Sequence, residues 1–197
     1  MTNDQSLLTG QLVRLTATNA EADAKVFARW EVDAEYMRQL DSEPHRPHRV
    51  KRIKEGIEKE QQEDPNTIAF SVRTLADDRL IGFIAFDGIS WQHGDTFVAI
   101  GIGDPTYRGN GYGTDAMRVM LRYGIMELNL ARVQLNVFSY NERAIKSYLK
   151  AGFSIEGRQR GMLLRDGCRC DLIYMSVLRN EWLALNTDQL TASSEQA

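Results

Sequence analysis

The sequence predicts an α/β (α+β) domain, a mixed central sheet of about seven strands flanked by about four helices. Three observations carry this. A β-branched and apolar run, Thr96-Phe97-Val98-Ala99-Ile100, feeds a glycine-rich loop, after which Ala116, Met117, Met120, Leu121 and Gly124 recur at helical spacing. A second strand-like run, Val133–Phe138, follows that helix. The two strands are therefore expected to lie parallel, because a helical crossover joins them. Earlier in the chain, Leu80–Phe86 is expected to pair back on Thr67–Arg73 as a hairpin across the turn Ala76–Arg79.

The elements follow in order. Residues 1–9 are polar and read as a flexible N-terminus, 10–185 as one domain and 186–197 as a flexible tail of small polar residues. Leu12–Thr16 alternates apolar and polar, a first strand. Thr18 or Asn19 can cap a helix through Ala22, Val26, Phe27 and Trp30. Asp33–Leu40 reads as a second helical piece, and Pro44 and Pro47 mark a loop. Arg49–Glu63 is a charged helix with Val50, Ile53 and Ile57 as its thin apolar stripe. The Thr67–Phe86 hairpin comes next, then a loop, Gly88–Gly94, carrying Trp91 and His93, and a fourth strand, Thr96–Gly103. The helix after the glycine loop runs to about Leu128. Past the fifth strand, Asn141 caps a short helix in which Ala144, Tyr148 and Gly152 share a face, and Gly152 suits a left-handed C-terminus. Phe153–Gly157 and Arg169–Val177 are the last strands, joined by a loop with Arg165-Asp166-Gly167. There is no internal repeat.

Composition narrows the function classes. The chain has 197 residues, 43% hydrophobic and 26% charged, with a formal net charge of -3. That size carries a full core, and that charge disfavours nonspecific nucleic-acid binding. No apolar run approaches ~20 residues, so no membrane span is expected. The N-terminus lacks a basic segment followed by an apolar one, so no signal peptide is read and a cytoplasmic protein is expected. Cys168 and Cys170 read as reduced thiols on one face of a strand. His45, His48 and His93 form no metal spacing, so no metal is expected.

The loop suggests chemistry. In Arg108-Gly109-Asn110-Gly111-Tyr112-Gly113-Thr114, glycines on alternate positions remove the Cβ atoms that keep a ligand off the backbone. First-turn amides have no partner inside a helix, and with the helix dipole they form an anion site, suited to a phosphate or pyrophosphate. A P-loop is excluded, because no lysine follows Gly111 or Gly113. The dinucleotide fingerprint fails at Thr114.

What fits is Arg108-x-x-Gly111-x-Gly113. It resembles the coenzyme A pyrophosphate loop of the GNAT superfamily of N-acetyltransferases, Arg/Gln-x-x-Gly-x-Gly/Ala. Asn141–Phe153 is similar to that family's Asn-x-x-Ala-x-x-x-Tyr-x-x-x-Gly-Phe at every fixed position. The resemblance covers Leu80–Leu178, and Tyr107–Ala116 looks like the branch with ribosomal-protein N-terminal and spermidine acetyltransferases. It implies the GNAT fold, in which the fourth and fifth strands splay and admit the pantetheine arm. It also implies an acetyl-CoA-dependent N-acetyltransferase, with acetyl-CoA as cosubstrate. The acceptor would be a primary amine of a protein N-terminus, a polyamine or a small molecule. By the same resemblance, backbone groups at Ile102 and Gly103 pair with pantetheine. Amides of Gly109, Asn110, Gly111, Tyr112, Gly113 and Thr114 hold the pyrophosphate. Arg108 contacts a phosphate or is a solvated loop arginine. Asn141 binds the pantetheine arm, caps its helix, or does both. A homodimer through the C-terminal hairpin is the assembly relatives suggest.

Direct attack raises two proton problems. An alkyl amine of pKa ~10 must lose a proton, and a departing thiolate of pKa ~8.5 gains from a donor. Tyr148 stands at the family's general-acid position. Asp33, Asp87, His93 and Asp95 are base candidates beside desolvation and a water chain. Trp91 either lines an acceptor pocket or packs over the sheet. The competing reading is a noncatalytic GNAT-like module that binds coenzyme A without turnover.

Overall fold

A computed structural model describes residues 7–187, with residues 60–63 described by their backbone alone. The strands are β1 (Val13–Ala17), β2 (Ile68–Thr74), β3 (Leu80–Ser90), β4 (Asp95–Ile102), β5 (Arg132–Phe138), β6 (Ser154–Arg165) and β7 (Cys168–Leu178). They form one seven-stranded sheet in the order β1-β2-β3-β4-β5-β7-β6. Every neighbouring pair is antiparallel except β4 and β5, which the helical crossover makes parallel. That pair touches only at Asp95–Phe97 against Arg132–Gln134, whereas β4 continues to Ile102 and β5 to Phe138. The sheet therefore splits in its middle.

The register fixes which peptide groups face the split. Gly103 N–H donates to the Ile81 carbonyl at 2.9 Å, so the odd-numbered residues of β4 bond to β3. Residues on the even parity turn toward β5, as the Arg132 N–H to Gly94 carbonyl bond of 3.1 Å confirms. Ile100 and Ile102 thus aim their N–H groups into a gap that β5 has left.

Among the described residues there are six α-helices rather than about four: α1 (Ala20–Trp30), α2 (Ala34–Leu40), α3 (Val50–Glu63), α4 (Tyr112–Arg122), α5 (Glu142–Ala151) and α6 (Arg179–Leu185). Of these, α3 packs on α1. Asn19, Asp33 and Asn141 cap α1, α2 and α5 through side-chain oxygens. A π-helical turn, Tyr123–Glu127, prolongs α4. Met117, Met120 and Leu121 of α4 are fully buried against Phe86, Val133 and Met175. The opposite face carries a smaller cluster of Trp30, Tyr36 and Leu80. Buried Asp23 anchors α1 there, accepting from Asn19 N–H (3.0 Å), Ser71 Oγ (2.6 Å) and Arg73 Nη2 (2.8 Å).

Several boundaries differ from the sequence reading, β3 among them, which runs past Phe86 to Ser90. Residues 7–9 of the expected flexible N-terminus are held: Leu8 packs on the core, and Arg122 donates to the carbonyls of Leu7 (2.9 Å) and Thr9 (2.7 Å). Residues 1–6, and 188–197 of the expected tail, lie outside the described residues. β6 runs past Gly157 to Arg165, because β7 keeps pairing with it as far as Cys168. The short helix α6 follows β7 directly; Glu181 accepts from the Leu178 N–H at 3.0 Å, and Trp182 is buried.

Asp115, in the first turn of α4, ties the chain before β1 to the glycine-loop helix. It is 8% exposed and accepts N–H bonds from Gln11 (3.1 Å), Leu12 (2.8 Å) and Val13 (3.1 Å). Replacing it with alanine strands three backbone donors. At ~1 kcal/mol each, Asp115→Ala is expected to lower unfolding free energy by about 3 kcal/mol, read from urea denaturation.

Candidate active site

The split between β4 and β5 opens a cleft of about 800 Å³. The glycine loop, the β4 backbone from Phe97 to Ile102, and one face of α5 line it. Gly111 caps α4 with φ of 89°, and Gly109 has φ of 81°. These left-handed angles suit glycine and bend the loop into a concave turn. No backbone or side-chain acceptor within the described residues takes the N–H groups of residues 109–114. The loop is thus a nest of free donors at the positive end of α4, fitted to a diphosphate.

Of the residues expected at the site, the cleft gathers Ile102, Arg108, Gly109, Gly111, Gly113, Thr114, Asn141 and Tyr148. Gly103, Asn110 and Tyr112 are not in its lining. Gly103 lies against Trp30, whose Cδ2 would sit 1.9 Å from any Cβ there; both its peptide groups bond within the fold. Gly101 and Gly103 thus answer the close approach of the Tyr36 and Trp30 side chains. Asn110 Nδ2 donates to the Thr106 carbonyl (3.0 Å), and Tyr112 meets Tyr107 edge to face at 5.0 Å. These two brace the loop from behind.

Arg108 is turned inward. Its guanidinium donates to the carbonyls of Ile102 (2.9 Å) and Gly103 (2.5 Å) and to Asp33 Oδ2 (2.8 Å), and stacks over Tyr36 at 4.9 Å. Only 11% of the side chain is exposed, so it is not a solvated loop arginine.

Asn141 Oδ1 accepts from Ala144 N–H at 3.2 Å, leaving its amide nitrogen without a partner among the described residues. Two turns on, Ser147 Oγ meets Thr114 Oγ1 at 2.7 Å and docks α5 on α4. The next residue, Tyr148, is half-buried beside Phe153, ring centroids 6.0 Å apart. Its hydroxyl has no hydrogen-bond partner among the described residues, and burial pushes the phenol up to about 12. The α2 end closes one side of the cleft: Arg143 donates to Gln39 Oε1 (3.0 Å) and the Tyr140 hydroxyl to the Arg38 carbonyl.

Comparison with known proteins decides the family. Residues 13–154 match the sequence profile of the acetyltransferase (GNAT) domain. The chain is a GNAT acetyltransferase. It is 26% identical over 174 residues to the SPbeta prophage-derived uncharacterized N-acetyltransferase YokL of Bacillus subtilis, covering 88% of this chain and 94% of that one. It is 36% identical over 80 residues to the spermidine N(1)-acetyltransferase of Escherichia coli, 41% of this chain and 43% of that enzyme. In fold it is similar to the spermidine N-acetyltransferase of Vibrio cholerae, solved in complex with CoA and spermine. The TM-score there is 0.78 at 23% identity, over 87% of this chain and 98% of that one. This GNAT protein is therefore an acetyl-CoA-dependent N-acetyltransferase.

The base candidates of this acetyltransferase separate by position. Asp87 lines the cleft and is exposed, with Thr67 Oγ1 donating to it at 3.2 Å. Asp33 is committed elsewhere. Against partial burial, which raises it, hydrogen bonds from Arg108 and Tyr36 N–H hold its carboxyl below the usual range. His93, Asp95 and Trp91 are outside the cleft lining, and Trp91 is 53% exposed. Sequence reasoning missed Tyr36, Phe138 and Ser147, which all line the cleft. The one trace of Tyr36 was Gly101, sixty-odd residues away on the facing strand. Among the described residues no helix is long and apolar enough to cross a membrane, and no cluster of side chains suits a metal ion.

Proposed function

We propose that this enzyme acetylates a primary alkyl amine by direct attack within the β4–β5 split. The observation that carries this is an unpartnered phenol, Tyr148, in the same cleft as a nest of free amides. Acetyl-CoA supplies an activated acetyl thioester. The 109–114 amides take its pyrophosphate, and Arg143, Lys146 and Lys150 at the cleft wall add positive charge for the remaining phosphate. Arg108 keeps the strand–loop junction in shape, its own charge matched by Asp33. The free amide nitrogen of Asn141 reaches the pantetheine arm. Ile100 and Ile102 N–H groups face the thioester carbonyl, where they stabilise charge developing on its oxygen. Tyr148 donates toward the departing sulfur.

At the opposite end of the cleft from those cations, the Asp87 carboxylate attracts an ammonium and receives its proton through water. Polyamines are the first acceptors to try, since one relative acts on spermidine and one fold neighbour carries spermine. Spermidine, spermine, a peptide with a free N-terminus and simple alkyl amines are incubated with acetyl-CoA, and thiol release is followed. Turnover of an amine is the expected result. A thermal shift with acetyl-CoA but no thiol release with any amine supports the noncatalytic module instead.

A further inference from the structure

A second phenol faces the split from the other side. Tyr36, on α2, is only 8% exposed, and it lines the cleft. Its hydroxyl has no hydrogen-bond partner among the described residues, although a buried tyrosine ordinarily finds one. The hydroxyl sits hard against β4, since a Cβ built on Gly101 would lie 2.3 Å from it. Gly101 faces the α1–α2 side, where Tyr36 packs with Trp30 and Leu80. Tyr148 packs on the α4–α5 side, against the main core. The two free phenols therefore flank the β4–β5 gap from opposite faces of the sheet.

The Tyr36 ring is also fixed with unusual care. Arg108 stacks on it at 4.9 Å, Asp33 holds Arg108 at 2.8 Å, and Asp33 also accepts the Tyr36 N–H at 3.1 Å. A ring that merely filled space would not need its hydroxyl left open. Burial raises this phenol well above its ordinary value, so it keeps its proton and does not act as a base.

Resting on the acetyltransfer reading above, we propose that the Tyr36 hydroxyl binds the acceptor amine. Its oxygen accepts one N–H of the neutral amine and so turns the nitrogen lone pair toward the thioester carbonyl. The phenolic proton stays on Tyr36 throughout, donated to water or to the acceptor's neighbouring polar group. Tyr148 serves the leaving sulfur from the far face. One phenol thus orients the nucleophile and the other receives the leaving group, with the acetyl carbon between them.

The test is Tyr36→Phe, which keeps the ring and the Arg108 stack. Loss of one hydrogen bond to the acceptor is expected to raise KM for spermidine, or for the amine of the panel turned over fastest, by about tenfold. The dissociation constant for acetyl-CoA should be unchanged by calorimetry, and thermal melting should show a folded protein. Calorimetric binding of spermidine to the CoA-saturated protein should weaken by the same factor, a readout independent of turnover. Acceptor KM and spermidine affinity within twofold of the unsubstituted protein overturn the proposal, as does a loss confined to acetyl-CoA affinity. If the unsubstituted protein turns over no amine, the acetyltransfer reading falls and takes this one with it. If it turns over amines and Tyr36→Phe is indifferent, this proposal alone falls.

Discussion

Gly111→Val is expected to weaken acetyl-CoA binding at least about a hundredfold, or ~2.8 kcal/mol at 1.4 kcal/mol per decade. The argument is conformational. At Gly111 φ is 89°, a region closed to β-branched side chains at a cost of order 1–3 kcal/mol. Space is not the obstacle, since the nearest atom to an added Cβ is Leu12 Cδ1 at 3.5 Å. Valine therefore relaxes the loop rather than clashing in it, and relaxation rotates the very N–H groups proposed to hold the diphosphate. Calorimetry with acetyl-CoA reads the loss, and circular dichroism should show the sheet and helices intact. Gly113→Ala supplies the contrast. That residue is helical, and its added Cβ meets Ile102 Cγ1 at an ordinary 3.5 Å, so its loss should be smaller than that of Gly111→Val. Equal affinity in the Gly111→Val and unsubstituted proteins would sink the nest as the cofactor site.

How much of this was legible in the sequence depends on distance along the chain. The glycine loop and the Asn141–Phe153 helix are local patterns, with their capping and spacing chemistry written in a dozen residues each. The parallel β4–β5 pair followed from one crossover. The partners of Arg108 did not follow, because Asp33 lies 75 residues earlier and Tyr36 nearly as far. A cation before a glycine loop reads as a phosphate ligand until its carboxylate is seen. The far half of β6 was invisible for another reason. Arg158-Gln159-Arg160-Gly161 has no apolar alternation, since both its faces meet solvent, and among the described residues it is β7, through Asp171 above all, that holds it. The short helix α6 escaped because seven residues are too few to show a period. What was missed is therefore non-local contact and solvated structure, and Tyr36, the residue proposed to meet the acceptor, belongs to the first kind.

Tyr148→Phe should lower kcat by about a hundredfold, at the low end of the ~10²–10⁴ range for a positioned acid. Acetyl-CoA affinity should be unchanged, because the ring stays against Phe153. The low end follows from the pKa values. A phenol pushed up to about 12 is a weaker acid than a free thiol near ~8.5. It cannot simply hand its proton to a solvated thiolate. In the proposed role it acts first as a hydrogen-bond donor that spreads the charge on sulfur, and the desolvation that raises the phenol also raises the basicity of that sulfur. The pH behaviour gives an independent check. From its ordinary 10.0 to about 12, the folded phenol keeps a proton that the unfolded chain has lost. Its contribution to stability is fully present below pH 10 and disappears as pH rises through about 12. Thermal melts across that window should fall less steeply for Tyr148→Phe than for the unsubstituted enzyme, while no limb from this group enters the rate profile below it. A kcat within threefold of the unsubstituted value would remove Tyr148 from the chemistry and leave the thiolate to depart unaided.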